Sequence, residues 1–132
     1  MVDFTDPSGG KVTIDAQKVI RARRALSSEN PSAGSRIDHG VMQLVREPID
    51  AVAAAIAAEN AAFTKVTTRD GSAVWFDARK VKGPLRISPG MSAYGYRSSL
   101  TLMGYRQHVT ETHQEVADII RKAGGKPEPV PH

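Results

Sequence analysis

The chain has no cysteine, few aromatics (5%) and no long apolar run. Without cysteine there is no disulfide framework, no thiol nucleophile and no thiolate-held zinc or iron–sulfur centre. The longest apolar stretch, Ala51–Ala58, is mostly alanine and falls well short of the ~18–20 residues of a membrane span, so no membrane partner is expected. Met1-Val2-Asp3-Phe4 carry an acid and no basic segment, which predicts no secretory signal and a cytoplasmic location. A chain of 132 residues holds one domain, or two very small ones packed together. With so few aromatics, its core must come from Val, Ile, Leu, Met and Ala. The 18 Lys and Arg against 14 Asp and Glu leave a formal charge of +4, a mild bias towards polyanions.

What the sequence does have is an internal match. Val12-Thr13-Ile14-Asp15-Ala16-Gln17-Lys18-Val19 and Val74-Trp75-Phe76-Asp77-Ala78-Arg79-Lys80-Val81 agree at five of eight positions. Each block follows a turn signal, Ser8-Gly9-Gly10 or Asp70-Gly71-Ser72. A second pair lies further on in the same order, Val45–Ile56 and Val109–Ile120, and the offset grows from 62 to 64 residues. Two matches in one order predict a tandem repeat.

Each copy reads as a hairpin, a third extended segment, a polar loop, a fourth strand and a closing helix. The third segments are Lys18–Arg23 and Lys80–Ile87; the loops are Ser27–Ser35 and Ser88–Tyr96; the fourth strands are Arg36–Val45 and Arg97–Val109. In the first helix Pro48 takes a first-turn position, and Ile49, Val52, Ala53 and Ile56 recur at helical spacing. In the second, Thr112 and Glu115 form a capping-box pattern ahead of Val116, Ile119 and Ile120, and Gly124-Gly125 stop the helix. The expected fold is therefore α+β: two pseudo-twofold ββββα repeats, with antiparallel sheets forming a sandwich or barrel-like body and two amphipathic helices. Residues 1–59 form the first repeat and 60–123 the second, packed together as a single body. Residues 124–132, rich in proline and without periodicity, are read as a disordered tail.

The first copy resembles the small bacterial flagellar FlbD-like proteins in Asp15 and Val19, then in Val45, Arg46, Glu47, Asp50 and Val52. The resemblance covers about 45 residues of the first copy and only the skeleton of the second. It implies a small non-enzymatic accessory protein, and its motif residues are structural ones. The duplication and long middle loops depart from that pattern.

The basic segments are the most informative candidate site. Residues 11–24 and 79–86 carry nine of the 18 basic residues, and Asp15 is their only acid. Lys18, Arg21, Arg23, Arg24, Arg79, Lys80, Lys82 and Arg86 form the candidate binding surface, because phosphate backbones reward such clusters by counterion release. The bland alternative is a solvated face, and strand alternation sends Arg24 away from Arg21 and Arg23. Trp75, Met91, Tyr94 and Tyr96 make a second candidate, an interaction surface for a protein partner, with core packing the plainer reading of Trp75. His39, His108, His113 and His132 show no metal-binding spacing, Ser35-Asp38-His39 is no evidence of a hydrolase, and Pro7-Ser8-Gly9-Gly10-Lys11 lacks the spacing and helix of a phosphate loop. Neither catalysis, metal nor cofactor is expected. The leading expectation is a non-enzymatic binding or regulatory module acting through protein contacts or self-association; the alternative is a small basic nucleic-acid-binding protein.

Overall fold

The computed structural model describes residues 1–131, and His132 lies outside the described residues. Strands β1 (Val2–Thr5) and β2 (Lys11–Ile14) form the first hairpin. Its turn closes because the Asp6 carboxylate accepts from the amides of Ser8 and Gly10, and Gly9 takes φ +101°, which disfavours a side chain. A single 3-10 turn, Ala16–Lys18, leads into β3 (Arg21–Arg24), then β4 (Ser35–Asp38), β5 (Met42–Val45) and helix α1 (Ile49–Glu59). The order then recurs: β6 (Phe63–Thr67), β7 (Ala73–Asp77), a 3-10 turn Ala78–Lys80, β8 (Lys82–Leu85), a short helix α2 (Pro89–Ala93), β9 (Ser98–Leu102), β10 (Tyr105–Val109) and α3 (His113–Lys122).

The mixed content fits the α+β expectation, with two corrections. Each half has five strands where four were expected, because Arg36–Val45 and Arg97–Val109 each fold back on themselves at Gly40 and Gly104. Those glycines take φ +99° and +80°, a left-handed turn that no continuous strand accommodates. Among the described residues the strands form three open antiparallel sheets and no closed barrel: β1-β2, β10-β9-β8, and β5-β4-β3-β7-β6. The third joins the halves, since β7 pairs with β3. Pro48 is the residue before α1 rather than in its first turn, and the loop expected at Ser88–Tyr96 contains α2.

Apolar periodicity places the core as expected. Val52, Ala53 and Ile56 of α1 lie in one buried cluster with Ile14, Ile37 and Val45, and Val116 and Ile120 of α3 lie in a second with Phe76, Leu100 and Val109. Several polar bonds recur at matching places. The Glu47 carboxylate accepts from the Thr5 amide at 2.9 Å, and Glu111 from the Thr67 amide at 2.9 Å. The hydroxyls of Ser35 and Ser98 donate to the carbonyls of Glu47 and Glu111. Asp15 and Asp77 each cap a 3-10 turn by accepting an amide two residues on. Beyond α3, Lys126–Pro131 form neither helix nor strand, but the Glu128 amide donates to the Gly83 carbonyl at 2.6 Å.

Candidate functional site

The β3–β4 register sets Arg21 opposite Asp38 and Arg23 opposite Arg36. Two arginines facing each other repel, and an acid between them removes the cost. Glu29, from the loop after β3, supplies it: Arg23 donates to both carboxylate oxygens at 3.0 Å, and Arg36 donates to Oε2 at 2.9 Å. Arg36 Nε and Arg21 Nε in turn donate to the two oxygens of Asp38, at 3.1 and 2.9 Å. The result is a ladder, Arg23–Glu29–Arg36–Asp38–Arg21, on one face of the central sheet. Burial pushes the Glu29 carboxyl up, but the bonds from Arg23, the Leu26 amide and Arg36 outweigh it and hold the group at about 2. Burial lowers the Arg36 affinity for its proton, and the Glu29 and Asp38 contacts outweigh that in turn. Glu29 and Arg36 escaped the sequence reading because Glu29 reaches Arg23 only when the loop folds back, and Arg36 faces it only through the β3–β4 register.

The second basic segment converges on one buried acid. Asp77 is fully buried; it accepts from Asn60 Nδ2 at 3.0 Å and from the Arg79 guanidinium at 2.8 Å. Burial raises its carboxyl, while the Arg79 and Asn60 bonds bring it down to about 2. Arg79 also donates to Gln17 Oε1 at 3.0 Å, and Lys80 donates to the carbonyls of Gln17 and Val19. These bonds tie the two 3-10 turns together.

The eight candidate basic residues therefore divide. Arg21, Arg23, Arg79 and Lys80 are engaged by acids or carbonyls of the fold. Lys18, Lys82 and Arg86 are exposed, and Arg24 is exposed with only a 3.9 Å approach to Asp70. The candidate aromatic surface divides too. Trp75 is half-buried, stacked on Phe63 at 5.8 Å between centroids and covered by the Lys65 ammonium at 5.5 Å. Tyr94 lies exposed at the end of α2 under the Arg69 guanidinium, 5.3 Å from the ring centroid. Tyr96 lines an opening with Thr68, Arg69 and Asp70, while Met91 is half-buried in α2.

A surface that sequence reasoning did not single out lies at two hairpin tips. Val41 and Met42 of the β4–β5 turn, with Met103 and Tyr105 of the β9–β10 turn, line one opening of about 240 Å³ above Ile20, Arg36 and Asp38. Val41 is 66% exposed, Met42 50% and Tyr105 68%, three of the six large hydrophobics exposed among the described residues. Met103 sits at φ +52°, uncommon for a side-chain-bearing residue, and Gly104 follows at +80°. The available signal was apolar residues beside turn glycines at Gly40-Val41-Met42 and Met103-Gly104-Tyr105. Among the described residues no three His, Asp or Glu side chains gather as a metal site. No protein-family model, curated protein or solved structure matches the chain.

Proposed function

We propose that this chain is a non-enzymatic binding module acting through protein contacts, built from two copies of one ancestral ββ-turn-βββα unit. The observation that carries the functional reading is the apolar opening of Val41, Met42, Met103 and Tyr105. Side chains of this kind, held at adjoining hairpin tips, provide the desolvated centre that protein interfaces need. The matched Glu47/Glu111, Ser35/Ser98 and Asp15/Asp77 bonds support the duplication, since each serves the same local purpose in its own half.

A photo-crosslinking residue at Tyr105, in the cells that make the protein, tests the reading. The expected result is a discrete protein adduct that Met42→Ser and Val41→Ser abolish and Lys82→Ser leaves intact. Adducts no different from those formed at exposed Glu59 would refute it.

A second reading has its own support. Arg24, Arg69, Tyr94 and Tyr96 surround the Thr68–Ser72 turn, where cations and rings suit a single-stranded nucleic acid. Under that reading, Arg24→Ala with Arg69→Ala lowers the salt slope of binding by about one to two units. A chain that does not retard DNA or RNA at low salt excludes it.

A further inference from the structure

The junction between the halves is one-sided. Strand β7 adds to the outer edge of β3, with Arg21 opposite Phe76, Ala22 opposite Trp75 and Arg23 opposite Val74. The Asp77 amide extends the ladder by donating to the Ile20 carbonyl at 3.0 Å. The matching strands in the other direction are β2 and β8, and they do not pair. The chain thus carries one unused copy of each side of its own junction: β2, the counterpart of β7, and β8, the counterpart of β3.

The state of those two edges differs. In the first hairpin the Asp6 amide donates to the Gly10 carbonyl, so antiparallel alternation turns the backbone groups of Lys11 and Thr13 away from β1. Among the described residues these groups have no hydrogen-bond partner, and β2 is an open edge. On β8 the outer Gly83 carbonyl is taken by the Glu128 amide, and Pro84 has no N–H to offer. The chain reaches Gly83 because Gly125 donates to the Ile120 carbonyl and passes against the Ala78 carbonyl, where any side chain would clash. Residues 126–128 are a strap across the acceptor edge.

We propose that β2 of one chain adds to β8 of a second copy, repeating the β7–β3 junction between chains, and that the C-terminal strap holds this assembly off. The partner is a second copy because the junction it would make is the one the chain already makes with itself. Such a contact is heterologous and continues head to tail, as a ring or an open filament. By correspondence with the internal junction and the β8–β9 register, Ile14 lies opposite Lys82, Thr13 opposite Gly83 and Val12 opposite Leu85, with Pro84 at the register shift between them. Pro84 leaves this junction with fewer hydrogen bonds than the internal one, which keeps it weak and makes the strap sufficient to block it. The inference goes beyond the protein-contact reading, because it concerns the β2 and β8 edges rather than the opening at Val41 and Tyr105.

Two measurements on the full chain test it. Glu128→Pro removes the amide that holds the strap. Its mass in sedimentation is expected to rise with concentration towards multiples of the monomer at protein concentrations on the order of 100 µM. Adding Thr13→Pro, which deletes an amide the fold does not use, is expected to restore the monomer. A folded Glu128→Pro chain that stays monomeric, or one whose assembly survives Thr13→Pro, overturns the proposal. The lack of native cysteine allows the second measurement. A Val12→Cys chain mixed with a Leu85→Cys chain under mild oxidation is expected to give the mixed disulfide dimer, and Val12→Cys alone to give little. Equal dimer from Val12→Cys alone points to β2 pairing with itself and overturns the proposed polarity. Adducts at Tyr105 together with a monomeric Glu128→Pro chain would leave the protein-contact reading standing and remove only this one.

Discussion

Apart from α2, which only the second half has, the two halves run through the same order of strands and helix, yet they solve the same local problems with different chemistry. In the first half Asp15 caps its 3-10 turn from a half-exposed position with a single amide. In the second, Asp77 occupies the matching position fully buried, and Asn60, Arg79 and the turn amide all converge on it. Helix α1 begins at Pro48 without a side-chain cap, while α3 begins with a complete capping box between Thr112 and Glu115. The first half leaves the β2 edge open, and the second covers β8 with its own C-terminal segment. Similar segments therefore settle into different environments once one half must accept the other. The acid that faces the junction is buried and paired; its counterpart, facing outward, is left as a simple cap.

The comparison is sharpest where both halves are expected to respond alike. Ile56 and Ile120 are each fully buried at the same helical position. Each substitution to alanine should cost about 2–5 kcal/mol of stability, read from the unfolding midpoint in urea. A large loss in one half and none in the other would show that only one half has a tight core.

At Asp15 and Asp77 the halves should separate. Asp77→Ala leaves one N–H of the buried Asn60 amide without a partner, the other still donating to Ala16, and frees Arg79; it should cost about 1–3 kcal/mol. Asp15→Ala loses one exposed cap and should cost about 0.5–1 kcal/mol. Equal losses would mean that the buried hub contributes no more than an ordinary cap.

Acid provides a third test. Glu29 in the first half and Asp77 in the second are held at about 2, below the ordinary values of 4.5 and 3.8. A depressed folded value contributes stability that is complete above the unfolded value and lost as pH falls through the folded one. Stability should therefore decline from about pH 4.5 to about pH 2. Glu29→Gln and Asp77→Asn should each flatten that decline, at the cost of lower stability at pH 7. An unchanged slope in both variants would remove these groups from the acid response.

The smallest expected difference is at the helix starts. Thr112→Ala removes the side-chain cap of α3 and should cost about 1 kcal/mol, whereas Pro48→Ser offers α1 a cap it lacks and should add about 0.5–1 kcal/mol. Thermal unfolding of the two variants should move in opposite directions.

The recurring order of hairpin, extended segment and helix is legible along the chain, because turn glycines, apolar spacing and the Thr112–Glu115 pattern are local signals. The sequence placed Val52, Ile56, Val116 and Ile120 in the core, since one face of each helix carries the large apolar residues. It also placed Arg21 and Arg23 on a common face by strand alternation. It did not separate β4 from β5 or β9 from β10, where the signal was a single glycine within a run of good strand formers. Which basic residues stay free depends on contacts between distant segments. Glu29 reaches Arg23 and Arg36, and Asn60 reaches Asp77, across distances in sequence that no periodicity records. The same holds for the meeting of Val41 with Tyr105 and for the choice of β3 over β8 as the strand that receives a neighbour. Local propensity sets what each segment becomes; long-range packing sets which edges, charges and apolar tips remain for a partner to find.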